Sequence, residues 1–457
     1  MANPAQAVTS PSAIADPDRS SGLWRALRHR NFQLFFGGQL ISLTGTWMQS
    51  VAQSWLVYRL TGSAILLGLV GFSSQIPVFL LAPVGGATAD RRNRHRILIA
   101  TQSTAMLLAF ILAGLTLTHR VQVFHVFIFA ALGGLVNAFD IPARQAFVVD
   151  MVGKEDLVNA IALNSSMVNG ARIVGPAIAG VLVASIGEGW CFFVNGVSYV
   201  AVIGGLLLMK VVAVKRGARA ASALADIAEG FRFVGKSAPV RALMLMLGLV
   251  SLTGMPYAVL MPVFADSVLH RGASGLGILM GASGVGAFLG AFSLAVRRGW
   301  RGLGTWVAYS SVGFGLSLIA FSFSRSFWLS ALLLLPVGFS MMVEMASSNT
   351  LLQVMVPDRL RGRVMAVYSM MFMGMAPFGA LLAGTLAGRW GAPRTVAAGG
   401  AVCVVGAVIF RWRLPRLRSQ ARRLIVAQES TGGNPSEEVT GERISSVPPI
   451  SGSIARR

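Results

Sequence analysis

A chain of 457 residues with 54% hydrophobic and only 12% charged residues stands far from soluble domains, in which about 25% of residues are charged. That balance excludes an ordinary soluble protein and makes a lipid bilayer the solvent. The formal net charge of +22 would point to nucleic acid in a soluble domain. Here, however, Lys and Arg sit in short stretches between apolar runs, so they report topology and imply no nucleic-acid partner. Two cysteines, Cys191 and Cys403, each inside an apolar run, are too few for a disulfide framework or a Cys-rich metal site and read as packing residues.

Residues 1–30 are polar and end in Arg25, Arg28, His29 and Arg30. The apolar run that follows is longer than a signal-peptide core, so it predicts a retained helix. Runs able to cross about 30 Å at 1.5 Å per residue lie near 32–57, 64–84, 97–118, 121–140, 160–186 and 190–210. Between 211 and 240, Leu224, Ile227, Phe231 and Val234 recur at helical spacing among Lys215, Arg216, Arg219, Arg232 and Lys236, which predicts an interfacial amphipathic helix. Six further runs lie near 241–264, 273–296, 303–323, 327–349, 363–387 and 394–411. The prediction is therefore an all-α membrane protein of twelve transmembrane helices, as two six-helix bundles over 31–210 and 241–411. The segment 412–457 is rich in Ser, Gly, Pro, Arg and Glu and lacks the apolar residues that would offset ordering entropy, so it reads as a disordered tail.

Cations concentrate in alternate connections: Arg91 to Arg96, Arg144 with Lys154, Lys210 to Arg241, Arg297 to Arg301, and Arg359 to Arg363. The opposite connections hold few, and the positive-inside rule then places both termini in the cytoplasm. An internal repeat supports two equivalent halves, because adding 204 carries Gly68 to Gly272, Gly71 to Gly275, Gly86 to Gly290, Gly134 to Gly338, Gly175 to Gly379 and Gly180 to Gly384. Isolated glycine matches are weak in membrane helices, but one register across four helices carries more weight.

Polar side chains inside a bilayer cost free energy unless they face a cavity or a partner, so they are candidates for function. In the first span Gln39, Ser42, Thr46, Gln49 and Gln53 share one face, and three glutamines on one stripe favour a wet cavity. The fifth span repeats the pattern with Ser165, Asn169, Arg172 and Pro176. Arg172 lies well inside the span, where an unpaired guanidinium costs about 3 kcal/mol or more, so it calls for an acid, water or an anionic substrate. Gln39, Gln49, Gln53, Asn169 and Arg172 are thus the candidate substrate-binding residues. Asp140 and Glu344 stand 204 apart in the fourth and tenth spans. A carboxyl whose surroundings alternate between water and low dielectric can take up and release a proton, which makes both candidate proton-coupling sites. Asp140 also precedes Arg144 by four residues, which suits a structural ion pair. The eight methionines Met341, Met342, Met345, Met365, Met370, Met371, Met373 and Met375 suit either an adaptable apolar wall or ordinary packing. Five dispersed histidines show no metal-ligand spacing, and no Walker-type loop is present, so no metal, cofactor or ATP-hydrolysing role is expected.

The loop Gly86, Asp90, Arg91, Arg94, Arg96 resembles the signature between helices 2 and 3 of the major facilitator superfamily, Gly-x-x-x-Asp-Arg-x-Gly-Arg-Arg/Lys. Asn93 stands where the family has glycine, and Asn tolerates left-handed torsions best after Gly. Gly175-Pro176-x-x-x-Gly180 partly matches the glycine-proline motif of superfamily antiporters. The stretches 140–145, 159–165, 349–353 and 357–363 are similar to the enterobactin-exporter and macrolide-efflux branch, over about residues 25–412. The resemblance implies two parallel six-helix repeats with a cavity at their interface. It also implies efflux of a small amphipathic molecule by proton antiport in a bacterial cytoplasmic (inner) membrane, by a non-enzymatic monomer whose partners are substrate, protons and lipid. Gly86, Asp90, Arg91 and Arg94 would form a conformational latch, with Asp90 bonding across the halves to a helix N-terminus or to Arg361 or Arg363. At the 204 offset the counterpart of Asp90 is Leu294. Import or lipid flipping on the same fold stays open, as does a nontransporting sensor or scaffold.

Overall fold

The computed structural model describes residues 25–153, 155–209, 223–297 and 302–430. The first six long helices are α1 (Arg30–Thr61), α2 (Ala64–Arg91), α3 (Arg94–Leu117), α4 (Val123–Val152), α5 (Leu157–Ile186) and α6 (Glu188–Leu207). A short amphipathic helix, α7 (Ala223–Lys236), follows. The second set is α8 (Ala238–Val268), α9 (Gly272–Val296), α10 (Leu303–Phe323), α11 (Phe327–Met355), α12 (Asp358–Trp390) and α13 (Ala392–Ser430). Eleven of these are long and apolar enough to cross a membrane. With α1, whose 32 residues carry the glutamines that lower its hydropathy, the spans number twelve.

Local chemistry sets the joints. Gly62 ends α1 in the left-handed region, φ 60°, and its N–H donates to the Tyr58 carbonyl at 2.7 Å. Ser63 caps α2 by accepting from the Leu66 N–H at 3.4 Å. Asn93 does not adopt the left-handed torsion expected of it. It is extended, φ −69° and ψ 110°, and caps α3 by accepting from the Arg96 N–H at 3.3 Å. A side-chain acceptor thus does at this joint what a left-handed glycine would do by backbone freedom. In α8, Pro256 and Pro262 interrupt the regular ladder, and π and 3₁₀ turns occupy Val250–Gly254 and Met255–Ala258, because proline removes a donor and crowds the preceding turn. The helix of α12 is likewise broken at Gly374 and Met375, just before Pro377.

Close helix packing shows where the repeat register holds. A Cβ on Gly134 would lie 2.2 Å from the Ser74 carbonyl oxygen, and one on Gly338 would lie 1.8 Å from that of Ser283. Gly175 faces the Thr44 carbonyl of α1 as Gly379 faces the Leu252 carbonyl of α8. So α4 and α5 map onto α11 and α12 at 204, but Ser74 maps onto Ser283 at 209. The uniform 204 offset does not extend to α2. Gly68 corresponds to Gly277 and not to Gly272, because the first half has five more residues between α2 and α4 than the second has between α9 and α11. The counterpart of Asp90 moves accordingly from Leu294 to Gly299, which lies outside the described residues.

The two halves touch through α2 against α12 and α5 against α9. A Cβ on Gly384 would meet the Gly68 Cα at 2.7 Å, and one on Gly277 would meet the Gly180 Cα at 2.7 Å. Both glycine pairs lie toward the end of the molecule opposite α7, where Tyr58 also hydrogen-bonds to Ser267. Gly86 sits eighteen residues beyond Gly68, about five turns and hence on the same face of α2, yet a Cβ there would meet nothing within 4 Å. A Cβ on Gly362, near the start of α12, likewise meets nothing within 4 Å. Faces that touch at one end are apart at the other, so the halves form a V open toward the end that carries α7.

Within 211–240, residues 211–222 lie outside the described residues, and α7 covers Ala223–Lys236. Val234 is buried and Phe231 is exposed; Gly230 packs against the Arg363 carbonyl, and Glu229 pairs with Arg363. The expected disordered tail needs correction. Helix α13 continues from Arg411 to Ser430, because Leu414 is buried against the start of α10 and Arg418 hydrogen-bonds to Thr305. Tertiary contact supplies what the local composition lacks. Residues 431–457 lie outside the described residues.

Candidate transport site

In the first half, polar side chains of three helices form one buried network. The Asp140 carboxylate of α4 is 3% exposed and accepts from Thr101 Oγ1 and Gln102 Nε2 of α3, each at 2.8 Å. Arg144, one turn further along α4, pairs with it at 3.5 Å and donates to Gln39 Oε1 of α1 at 3.2 Å. Gln39 is itself 1% exposed. Gln49 accepts from Asn195 Nδ2 of α6 at 2.7 Å. Two of the three glutamines on the α1 stripe are therefore engaged inside the first bundle, and Gln53 is half-buried. The Asn169 amide donates to the Ser165 carbonyl within α5 at 2.9 Å.

Arg172 differs from all of these. Its guanidinium lies over the Trp47 ring, 5.0 Å from the centroid, and its buried Nε has no hydrogen-bond partner. Its own carbonyl stands 3.2 Å from a Cβ built on Gly284 of α9, which puts it at midspan on the seam between the halves. On α8, Tyr257 lies within electrostatic reach of Arg172 and hydrogen-bonds to Ser283 at 2.6 Å. A cation–π contact of this kind is worth about 2 kcal/mol when desolvated. It steadies the charge without neutralising it.

Glu344, on α11, stands where Asp140 stands on α4. It is 1% exposed, and its Oε1 has no hydrogen-bond partner. Tyr368 of α12 and Cys403 of α13 lie within its electrostatic reach. Both cysteines are free and buried.

At the open end, Arg94 donates to the Ala89 and Ala146 carbonyls and to Asp150, and it reaches Asp90 at 3.3 Å. This ties α2, α3 and α4 together. The Asp90 side chain remains 76% exposed and Arg91 is exposed. Arg363 pairs with Glu229 and Arg361 with Asp358, so each of these ion pairs stays within one half. A second clasp was not foreseen from the sequence. Asp156 accepts from His29 at 2.9 Å and pairs with Arg25 at 3.4 Å, while Asn159 Oδ1 accepts from the Ala26 N–H at 2.9 Å. The His29 hydrogen bond holds the Asp156 carboxyl below its ordinary pKa, burial opposes this, and Arg25 and Arg28 add to the lowering. Four cations before an apolar run mark the segment in the sequence, but which acid they meet is decided by the fold. Among the described residues no group of three or more His, Cys, Asp or Glu could hold a metal ion.

Residues 21–432 match the family described as transmembrane secretion effector. The chain belongs to this family of the major facilitator superfamily. It is 28% identical over 381 residues to a staphyloferrin A transporter of Staphylococcus aureus, covering 82% of this chain and 94% of that one. It is 27% identical to the multidrug efflux pump Tap of Mycolicibacterium fortuitum, at 82% and 93% coverage. With an enterobactin exporter of Citrobacter koseri it shares 24% over 400 residues, at 86% and 93% coverage. Among solved structures it is similar in fold to a bacterial homologue of ferroportin in an inward-facing state, with TM-score 0.63, 18% identity, and 84% and 98% coverage. A bacterial homologue of the lysosomal transporter Spinster, inward-facing and occupied, superposes with TM-score 0.62 at 16% identity, covering 89% and 98%. The chain is thus a multi-pass membrane transporter and not an enzyme.

Proposed function

We propose that this transporter exports a small amphipathic molecule bearing an acidic, siderophore-like group, by alternating access and in exchange for protons. The observation that carries the reading is Arg172, a guanidinium at midspan on the seam of the two halves whose Nε lacks a hydrogen-bond partner. A charge in that position is costly unless something arrives to meet it, and an anionic substrate group does so bidentately. Trp47 and Tyr257 would contact the apolar body of the substrate, with Gln53 and Asn169 at the edge of the path. Gln39 and Gln49 support the site from within the first bundle. The staphyloferrin A transporter and the enterobactin exporters among its relatives agree with this substrate class.

Glu344 carries the proton in this reading, while Asp140 stabilises the first bundle. The end bearing α7 and the basic connections is cytoplasmic by the positive-inside rule. The structure then faces the bacterial cytoplasm, ready to load, with both termini on that side and the monomer as the working unit. The Asp90 latch would act in the opposite state, when the cytoplasmic ends of α2 and α12 meet.

Proteoliposomes with an imposed pH gradient and a panel of carboxylate and catecholate siderophores test the proposal. The wild type should show gradient-driven flux. Glu344→Gln should abolish coupling while leaving substrate binding, and Arg172→Ala should weaken binding of anionic substrates more than of neutral ones. Flux that ignores the pH gradient, or equal loss for neutral and anionic compounds, would overturn it.

A further inference from the structure

The two halves answer one electrostatic problem in different ways. In α4, Asp140 is neutralised by Arg144. At the 204 offset that α4 and α11 share, the counterpart of Arg144 is Ser348 and that of Ala143 is Ser347. The guanidinium is therefore missing beside Glu344, and no other cation has replaced it at Oε1, which has no partner. Hydroxyls stand there instead. Ser347 and Ser348 lie three and four residues after Glu344, about 5–6 Å away between Cβ atoms on the same helix face. They are 1% and 0% exposed, and both Oγ atoms lack hydrogen-bond partners.

Three buried oxygens without partners, one of them a carboxylate oxygen, thus share one face of α11. Buried polar groups are almost always satisfied, and a local group of exceptions marks an unseen water or ion. A proton on Glu344 would remove the charge but leave two hydroxyl oxygens without partners. A small hard cation meets both needs, because it takes oxygen ligands and supplies the missing positive charge.

We propose that Glu344, Ser347 and Ser348 form an internal sodium site, in the place that Arg144 fills in the first half. The ion and a proton compete for the one carboxylate. Among the described residues the titratable groups within electrostatic reach of it are Tyr368 and Cys403, from α12 and α13, and neither brings a positive charge. The site uses the carboxylate assigned above to proton exchange, but the two readings can fail separately.

The test is thermal unfolding of the full chain in detergent at a pH of about 8, where carboxylates are ordinarily ionised. NaCl is exchanged for choline chloride at constant ionic strength, and binding of radiolabelled Na⁺ is measured in parallel. The expected result is a Tm that rises with the logarithm of Na⁺ concentration, a response that shrinks as pH falls. Ser347→Ala should weaken the response and Glu344→Gln should lose it, while choline gives none. Should Glu344→Gln fail to fold, label binding to the wild type and to Ser347→Ala decides. Equal stability in the two salts with no label bound, or an unchanged response in Glu344→Gln, overturns the proposal. Flux driven by pH in sodium-free medium would in that event leave proton exchange standing. A sodium response without such flux would remove only the proton reading.

Discussion

Asp140 and Glu344 occupy equivalent helical positions with opposite surroundings, and their variants should behave accordingly. Asp140→Asn removes the partner of a largely buried guanidinium, so the loss of folding stability should approach the about 3–5 kcal/mol typical of a broken buried pair. Chemical unfolding in detergent would measure it, and a variant as stable as the wild type would contradict the network described here. Glu344→Gln removes no protein partner and should leave stability in sodium-free buffer nearly unchanged. The pair Asp140 and Arg144 was legible at a spacing of four, because i,i+4 neighbours share a helix face. Its extension to Gln39, Thr101 and Gln102 was not, since those contacts join different helices, and which faces of two helices meet is set by their packing. For the same reason the stripe on α1, read as one wet face, divides between a structural network at Gln39, a helix–helix bond at Gln49, and a half-buried Gln53.

At the scale of elements, the joints between helices set the conformational balance. The Gly68–Gly384 and Gly180–Gly277 contacts bring backbone to backbone, with less than 3 Å available to an added Cβ. Gly384→Val should therefore disfavour closure of this end and shift the molecule toward the state closed at the α7 end. Spin-label distances across both ends would report a widening at the glycine contacts and a narrowing at the other end; unchanged distances would show that these contacts do not set the balance. The clasp between the N-terminal segment and α5 carries its own pH dependence. The Asp156 carboxyl is held below its ordinary pKa by His29, with Arg25 and Arg28 adding to this. Its contribution is thus present above the ordinary carboxylate pKa and lost as pH falls through the lowered value. Asp156→Asn should be less stable than the wild type near neutral pH and should converge with it in acid. A stability difference that persists in strong acid would show that the ionised carboxylate is not its source.

For the whole molecule, the sequence determined the solvent, the twelve spans, the two halves and the basic connections. Each follows from local composition measured against the thickness of a bilayer. It also marked Arg172 and Glu344, because charge is rare and expensive in an apolar run. Only the tertiary structure decided how those residues are served. It joined Asp140 to Thr101 and Gln102 of α3, left Glu344 Oε1 without a partner, laid Arg172 over Trp47 on the seam, extended α13 to Ser430 by packing it on α10, and shifted the repeat register of α2 to 209. It also fixed which end of the V is closed. These outcomes depend on contacts between different helices, where a side chain's cost is set by which neighbour satisfies it and not by the residues beside it in the chain.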